Sequence, residues 1–157
     1  MKIAFWSIGK SHDPYVKSGV EDFSKRIQNY FKLEWEIFPP LKNAGKLSID
    51  ETKKMEGAVV ISRIQKDDFL IALEERGKQL TSEALAQQIQ HCANLSVKRI
   101  VFLIGGAYGI DEQVLRRANF QWSISKLVFP HQLVRLILAE QVYRACTILK
   151  NEKYHHS

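Results

Sequence analysis

Apolar and polar positions along this chain switch repeatedly between two spacings. Ile3–Ile8 is a nearly unbroken apolar run closed by Gly9, as in a buried strand. Asp13-Pro14 then predicts a helix start, with a capping acid and a proline in the first turn. From Tyr15 to Tyr30, Val16, Val20, Phe23 and Ile27 form one helical stripe. Lys32–Phe38 alternates Leu33, Trp35 and Ile37 with charged neighbours, which predicts a half-exposed strand. A loop with Pro39-Pro40 and Asn43–Lys46 follows. Ser48-Ile49-Asp50-Glu51 fits a capping box and opens a helix to about Gln65. Phe69–Leu73 reads as a third strand, Glu75–Leu80 as a loop, and Ser82–Leu95 as a third helix. Arg99–Ile104 is a fourth, strongly apolar strand. After the turn Gly105–Gly109, Asp111 is placed to cap a short helix to about Ala118. Trp122–Ser125 predicts a short strand, Leu127–Phe129 an extended segment that wants burial, and His131 to about Lys150 a long helix. The tail is Glu152–Ser157.

Strands alternating with helices predict an α/β fold with a mostly parallel sheet and helices on both faces. No repeat, low-complexity tract or linker interrupts the pattern, so the whole chain, 1–157, is expected to be a single domain. The last helix is apolar around most of its circumference, which predicts burial on more than one side, one of them a two-fold subunit interface.

Composition narrows the partners. Apolar residues at 45% and charged residues at 25% exclude a disordered chain. The net charge of +6 is unevenly placed. Residues 113–157 carry seven basic side chains (Arg116, Arg117, Lys126, Arg135, Arg144, Lys150, Lys153) against two acids, Glu140 and Glu152. Such a patch suits a polyanion, although a small excess also serves solubility alone. Cys92 and Cys146 stand far apart, with no metal-ligand spacing, and read as buried free thiols of a cytoplasmic protein. No segment reads as a signal peptide or membrane span.

Three segments look ready for a ligand. Ile104–Gly109 is a strand end with a glycine-rich turn, where open α/β sheets bind small molecules. Its G-G-x-x-G spacing, with no acid about 20 residues on, is a poor dinucleotide fingerprint. A tight turn without a ligand is an equal reading. Leu73–Lys78 is a second strand end, and a solvated turn is its plainer reading. Ser123–Gln132 is mostly extended, with backbone groups free to read a base in an apolar slot. Tyr154-His155-His156 follows a basic helix and could stack on a base and move a proton, or simply fray.

Together, Ile104-Gly105-Gly106, Phe129–Leu133, Arg135, Glu140–Ala145 and the terminal Tyr154-His155 resemble the RlmH family, the bacterial 23S ribosomal RNA pseudouridine-N3 methyltransferases of the SPOUT class. Gly77-Lys78 and Thr81-Ser82-Glu83 resemble the family's G-K…S-S-E segment. Glu74 stands where the family usually has Asp, Leu85 replaces a common Phe, Lys153 a usual Pro, and His156 a usual Lys or Arg. The resemblance implies a SPOUT-type α/β fold with a C-terminal trefoil knot over about residues 100–157. It implies S-adenosylmethionine bent against Leu73, Gly106 and the segment Ser125, Lys126, Leu127, Val128, Phe129 and Pro130. It implies a homodimer acting on 23S rRNA in assembled ribosomes, with neither metal nor membrane. For methyl transfer to N3, His155 is the first candidate base, ahead of His131 and Glu140. Tyr154 would hold the base, Arg135 and Arg144 would meet RNA phosphate or orient Glu140, and His156 would meet RNA. A SPOUT enzyme acting on another RNA such as tRNA, or a ribosome-binding factor without catalysis, are the alternatives.

Overall fold

Five strands make one all-parallel sheet in a computed structural model that describes residues 1–156; Ser157, in the expected tail, lies outside the described residues. The strands are β1 (Lys2–Ile8), β2 (Lys32–Phe38), β3 (Phe69–Gln79), β4 (Arg99–Ile104) and β5 (Phe120–Ser123). Their spatial order is β2-β1-β4-β3-β5. The helices are α1 (Pro14–Ile27), α2 (Ile49–Arg63), α3 (Ser82–Asn94), α4 (Glu112–Arg117) and α5 (His131–Leu149).

The strands' two-residue period sorts their side chains into two cores. Ile3, Phe5, Ile71, Ile100, Phe102 and Ile104 point to the face covered by α1, α3 and α5. Ala4, Trp6, Leu70, Ala72, Val101 and Leu103 point to the opposite face, with Val60 of α2 and Val114 of α4. Because α5 packs against both α1 and α3, much of its apolar circumference is covered within the chain. No helix of the described residues is long and apolar enough to cross a membrane.

Local signals decide several boundaries. Ser48 caps α2 as the capping box predicts: its Oγ accepts from the Glu51 amide and donates to Glu51 Oε1. Asp111 caps α4 through the Gln113 amide. Asp13 precedes α1 without a side-chain cap; instead the Gln132 side chain accepts from its backbone N–H at 2.9 Å. Helix α1 stops at Ile27, short of Tyr30. The loop after Pro39-Pro40 contains a 3-10 turn, Ala44–Lys46.

Two segments depart from the sequence reading. Glu75–Leu80 is not a loop. Strand β3 runs on to Gln79 after a register break between Leu73 and Lys78, and Lys78 and Gln79 pair with Trp122 and Ser123 of β5. Its polar residues hide a strand because this extension overhangs the core. Strand β5 accordingly starts at Phe120 and ends at Ser123. The segment Leu127–Phe129 is also not buried as its composition suggests: Leu127 is 71% exposed and Val128 89%.

Candidate active site

The carboxyl ends of β3, β4 and β5 enclose a cleft of about 730 Å³. Its walls are Leu73–Arg76 from β3, Ile104–Ile110 after β4, and Gln121–Ser125 with Leu127–Phe129 after β5. His131 and Val134 of α5 and Lys53 of α2 close it. The β4 turn doubles back tightly: the Gly109 amide donates to the Gly106 carbonyl at 3.1 Å, and Gly109 has φ +90. That left-handed φ favours glycine. At Gly105 a Cβ would stand 2.6 Å from Ile110 Cγ1, so the buried strand end tolerates no side chain. Beyond β5, Ser125 Oγ accepts from the Leu127 amide at 2.9 Å, which turns the chain and throws Leu127 and Val128 outward as an apolar lip.

Of the expected cofactor residues, Leu73, Gly106, Ser125, Leu127, Val128 and Phe129 line this cleft. Lys126 and Pro130 are exposed and lie between lining residues without lining it themselves. Lys53 and Tyr108 also reach the cleft. Tyr108 lay in the flagged glycine turn, whereas nothing in the pattern of α2 pointed Lys53 toward a site.

His131 ties two walls together. Its Nε2–H donates to the Gly105 carbonyl at 2.5 Å, joining the glycine turn to the start of α5. Burial lowers its pKa first; the Gly105 bond opposes that, and Arg135 adds to the lowering. A neutral ring with Nε2 already donating is a strut rather than a proton acceptor at that nitrogen. His12, also with a lowered pKa through burial and then Arg135, accepts from Arg135 Nη1 at 3.3 Å. The unfolded chain takes up these protons near pH 6.5 and the native chain resists. Stability is therefore level above that pH and falls as pH drops from 6.5 toward the lowered native values. Urea midpoints from pH 8 to 5 should show this fall, and it should shrink in His131→Asn; an unchanged slope in the variant would contradict it.

Arg135 needs a correction. Expected on RNA, its side chain is wholly buried, so it offers RNA no surface. Helix α5 turns position 135 inward, beside Gly9 and His12. Its Nε and Nη2 lack hydrogen-bond partners among the described residues, and burial lowers its pKa. Replacing such a buried cation with an apolar side chain of similar length is often stabilising. Arg135→Met should raise the urea unfolding free energy by about 1 kcal/mol; a loss above that size would show a hidden partner.

The remaining candidates form one cluster where the tail folds back on α5. Arg144 grips Glu140 through Nε at 3.1 Å and Nη2 at 2.5 Å. Tyr154 donates its hydroxyl to the same Glu140 oxygen at 3.0 Å, and the Arg144 guanidinium lies 4.8 Å above the Tyr154 ring. Burial and then Glu140 raise the Tyr154 pKa, so the phenol stays a donor. Arg144 Nη1 donates to His155 Nδ1 at 3.3 Å, and His155 Nε2–H donates to Glu83 Oε1 at 2.8 Å. The bond from His155 holds the Glu83 carboxyl below its ordinary pKa. His156 is exposed. Glu83 belongs to the Thr81-Ser82-Glu83 segment that the sequence flagged, but its service to the tail was not legible there.

This cluster does not touch the cleft of its own chain. Arg144 lies thirteen residues along α5 from His131, roughly 20 Å at helical rise. None of Glu140, Arg144, Tyr154 or His155 lines the cleft.

A parallel sheet with a glycine turn and an apolar-lipped cleft at its strand ends defines an open α/β domain built to take a small molecule. The family described as predicted SPOUT methyltransferase matches residues 1–155. Proteins named ribosomal RNA large subunit methyltransferase H are similar over 99% of this chain: that of Christiangramia forsetii is 44% identical over 99% of its own length, and that of Cytophaga hutchinsonii 46% over 100%. Among solved structures, the tRNA (m1G37) methyltransferase from Aquifex aeolicus matches 92% of the chain and 70% of its own, with TM-score 0.56 and 18% identity. That last likeness concerns the fold alone. The chain belongs to the SPOUT methyltransferase family.

Proposed function

We propose that this protein is a cytoplasmic, S-adenosylmethionine-dependent methyltransferase that modifies N3 of a pseudouridine in 23S rRNA of assembled ribosomes. It works as a homodimer whose C-terminal part is threaded as a trefoil knot. The reading is supported most by the convergence of Leu73, Gly106 and Ser125–Phe129 on one cleft, in a chain similar along its whole length to relatives bearing that name. The cleft's size suits the cofactor, since small-molecule pockets run about 300–1,000 Å³. When bound there, the cofactor supplies an electrophilic methyl group on a sulfonium.

The chain's own residues position and deprotonate the base. With the cofactor's methyl group supplied to N3, the N3 proton would have to pass to a side chain. Glu140 accepts from Arg144 and Tyr154 on one oxygen and from Gln141 on the other. Burial and Arg135 disfavour a charged His131. His155, beside the Glu83 carboxylate, is the acceptor we assign. Its contact to Arg144, at 3.3 Å, is the longer of its two. Exchanging that contact for N3–H frees Nδ1 to accept the proton, while Glu83 steadies the imidazolium that forms. Arg144 is then released toward phosphate. The separation of tail and cleft within one chain supports a dimer in which each tail serves the partner's cleft. The exposed lip of Leu127 and Val128 suits such an interface.

Mass spectrometry of ribosomal RNA from a strain lacking the gene tests the reading. One pseudouridine should lose a methyl group, restored by the purified protein on ribosomes and only weakly on naked RNA. A methyl lost from tRNA instead would overturn the substrate.

A further inference from the structure

Two neighbouring residues at the start of α3 reach opposite ends of the tail cluster. Glu83 accepts from His155 Nε2–H at 2.8 Å, and Ser82 Oγ donates to Gln141 Oε1 at 2.8 Å. Gln141 Nε2 in turn donates to Glu140 Oε2 at 2.8 Å, while Arg144 and Tyr154 donate to Oε1 of the same carboxylate. Arg144 Nη1 donates to His155 Nδ1. These contacts close a ring that leaves α3 at Ser82, runs through Gln141, Glu140, Arg144 and His155, and returns at Glu83. Thr81 fixes where α3 begins, because its Oγ1 accepts from the Ala84 amide at 3.0 Å, and Ser82 Oγ is left to reach α5.

The bond between Gln141 and Glu140 is not one that a helix makes by itself. Successive residues of a helix point about 100° apart, so their side chains do not face each other. Gln141 must lean toward Glu140, and Ser82 holds it there by the other end of the amide. Only one orientation of the amide serves both neighbours. A carboxylate only accepts, so Nε2 faces Glu140 and Oε1 is left for the Ser82 hydroxyl. We infer that Gln141 and Ser82 are positioning residues for methyl transfer. Together they fix Glu140 so that its Oε1 aims Tyr154 and Arg144, and through Arg144 also His155, at the target base. This rests on the proposed methyltransferase reading, in which that cluster receives the base. Neither residue lines the cleft, so neither is placed to touch the cofactor of its own chain. Without Gln141, Oε2 loses its donor and the carboxylate can turn, taking the Tyr154 hydroxyl and the Arg144 guanidinium with it. A misplacement of about 1 Å can cost roughly 10²-fold in rate.

Single-turnover methylation of ribosomes at saturating cofactor tests this in Gln141→Leu, Ser82→Ala, Ser82→Thr and the double variant of Gln141→Leu with Ser82→Ala. Gln141→Leu keeps size and helix propensity while removing both bonds. It should slow methyl transfer roughly ten- to a hundred-fold, as expected for a lost bond to a charged group. The KM for ribosomes and the calorimetric affinity for S-adenosylmethionine should stay at wild-type values, a split that a merely structural tie between α3 and α5 would not give. Ser82→Ala should lose less, because it leaves the bond from Gln141 to Glu140 in place but unsupported. Ser82→Thr keeps the hydroxyl and should recover most of that loss. The double variant should be no slower than Gln141→Leu alone, because both residues act through one chain of bonds. Full turnover by Gln141→Leu, or losses that multiply in the double variant, would overturn the inference alone. Where Gln141→Leu fails to fold, the comparison of Ser82→Ala with Ser82→Thr decides, and equal rates in those two would overturn it. Wild type that leaves ribosomes unmethylated would overturn the methyltransferase reading beneath it.

Discussion

His155→Ala should lose methyl transfer by about 10²–10⁴-fold, the usual share of a general base, with cofactor affinity unchanged. The cluster separates these two quantities. His155 is bonded to Glu83 and Arg144, and none of the three lines the cleft of its own chain. Single-turnover methylation of ribosomes, with saturating cofactor, reads the loss directly. The loss should fall on the single-turnover rate and not on the KM for ribosomes, a split that a merely structural role would not give. In the proposed dimer, where each tail serves the partner's cleft, mixing this variant with a cleft-impaired subunit should restore part of the activity through the one intact pairing. Full turnover by His155→Ala would end the assignment of the tail as base.

Gly77→Ala should destabilise the fold and empty the cleft together. A Cβ at Gly77 would lie 2.6 Å from the Gln121 carbonyl carbon and oxygen and 2.8 Å from the Trp122 nitrogen. These are backbone atoms of β5, so no side chain can swing aside. Strand β5 must move off the β3 extension, and Gln121, Trp122 and Ser123 of the cleft wall move with it. Overpacking of this kind costs about 1–3 kcal/mol. Thermal unfolding and calorimetry with S-adenosylmethionine should both register the change. A variant with wild-type stability and affinity would mean that the two strands separate without cost.

Legibility in the sequence followed burial. Ile3–Ile8 and Arg99–Ile104 were readable because both faces of those central strands are covered, leaving apolar runs. The second half of β3 was not. Glu75, Arg76, Lys78 and Gln79 overhang the core, and a polar strand carries no period that marks it. Leu127 and Val128 misled in the opposite direction, since apolar side chains at a cleft mouth look like core. The glycine turn and the Ser125–Phe129 segment announced a site, but only the strand order brings them beside Leu73. Arg135 and Arg144 looked alike on paper. One faces the interior beside His12 and the other grips Glu140.

The position of α5 between α1 and α3 also bears on how the chain comes to be folded. The apolar face formed by Ile3, Phe5 and Phe102 is closed by Leu138, Val142 and Cys146, which follow every strand along the chain. During translation the five strands therefore hold that face open until α5 emerges. Long-range closure of this kind slows folding and lengthens exposure to aggregation. A nascent chain stopped before α5 should depend on chaperones, and one that includes α5 should acquire its protection from proteolysis in a single late step.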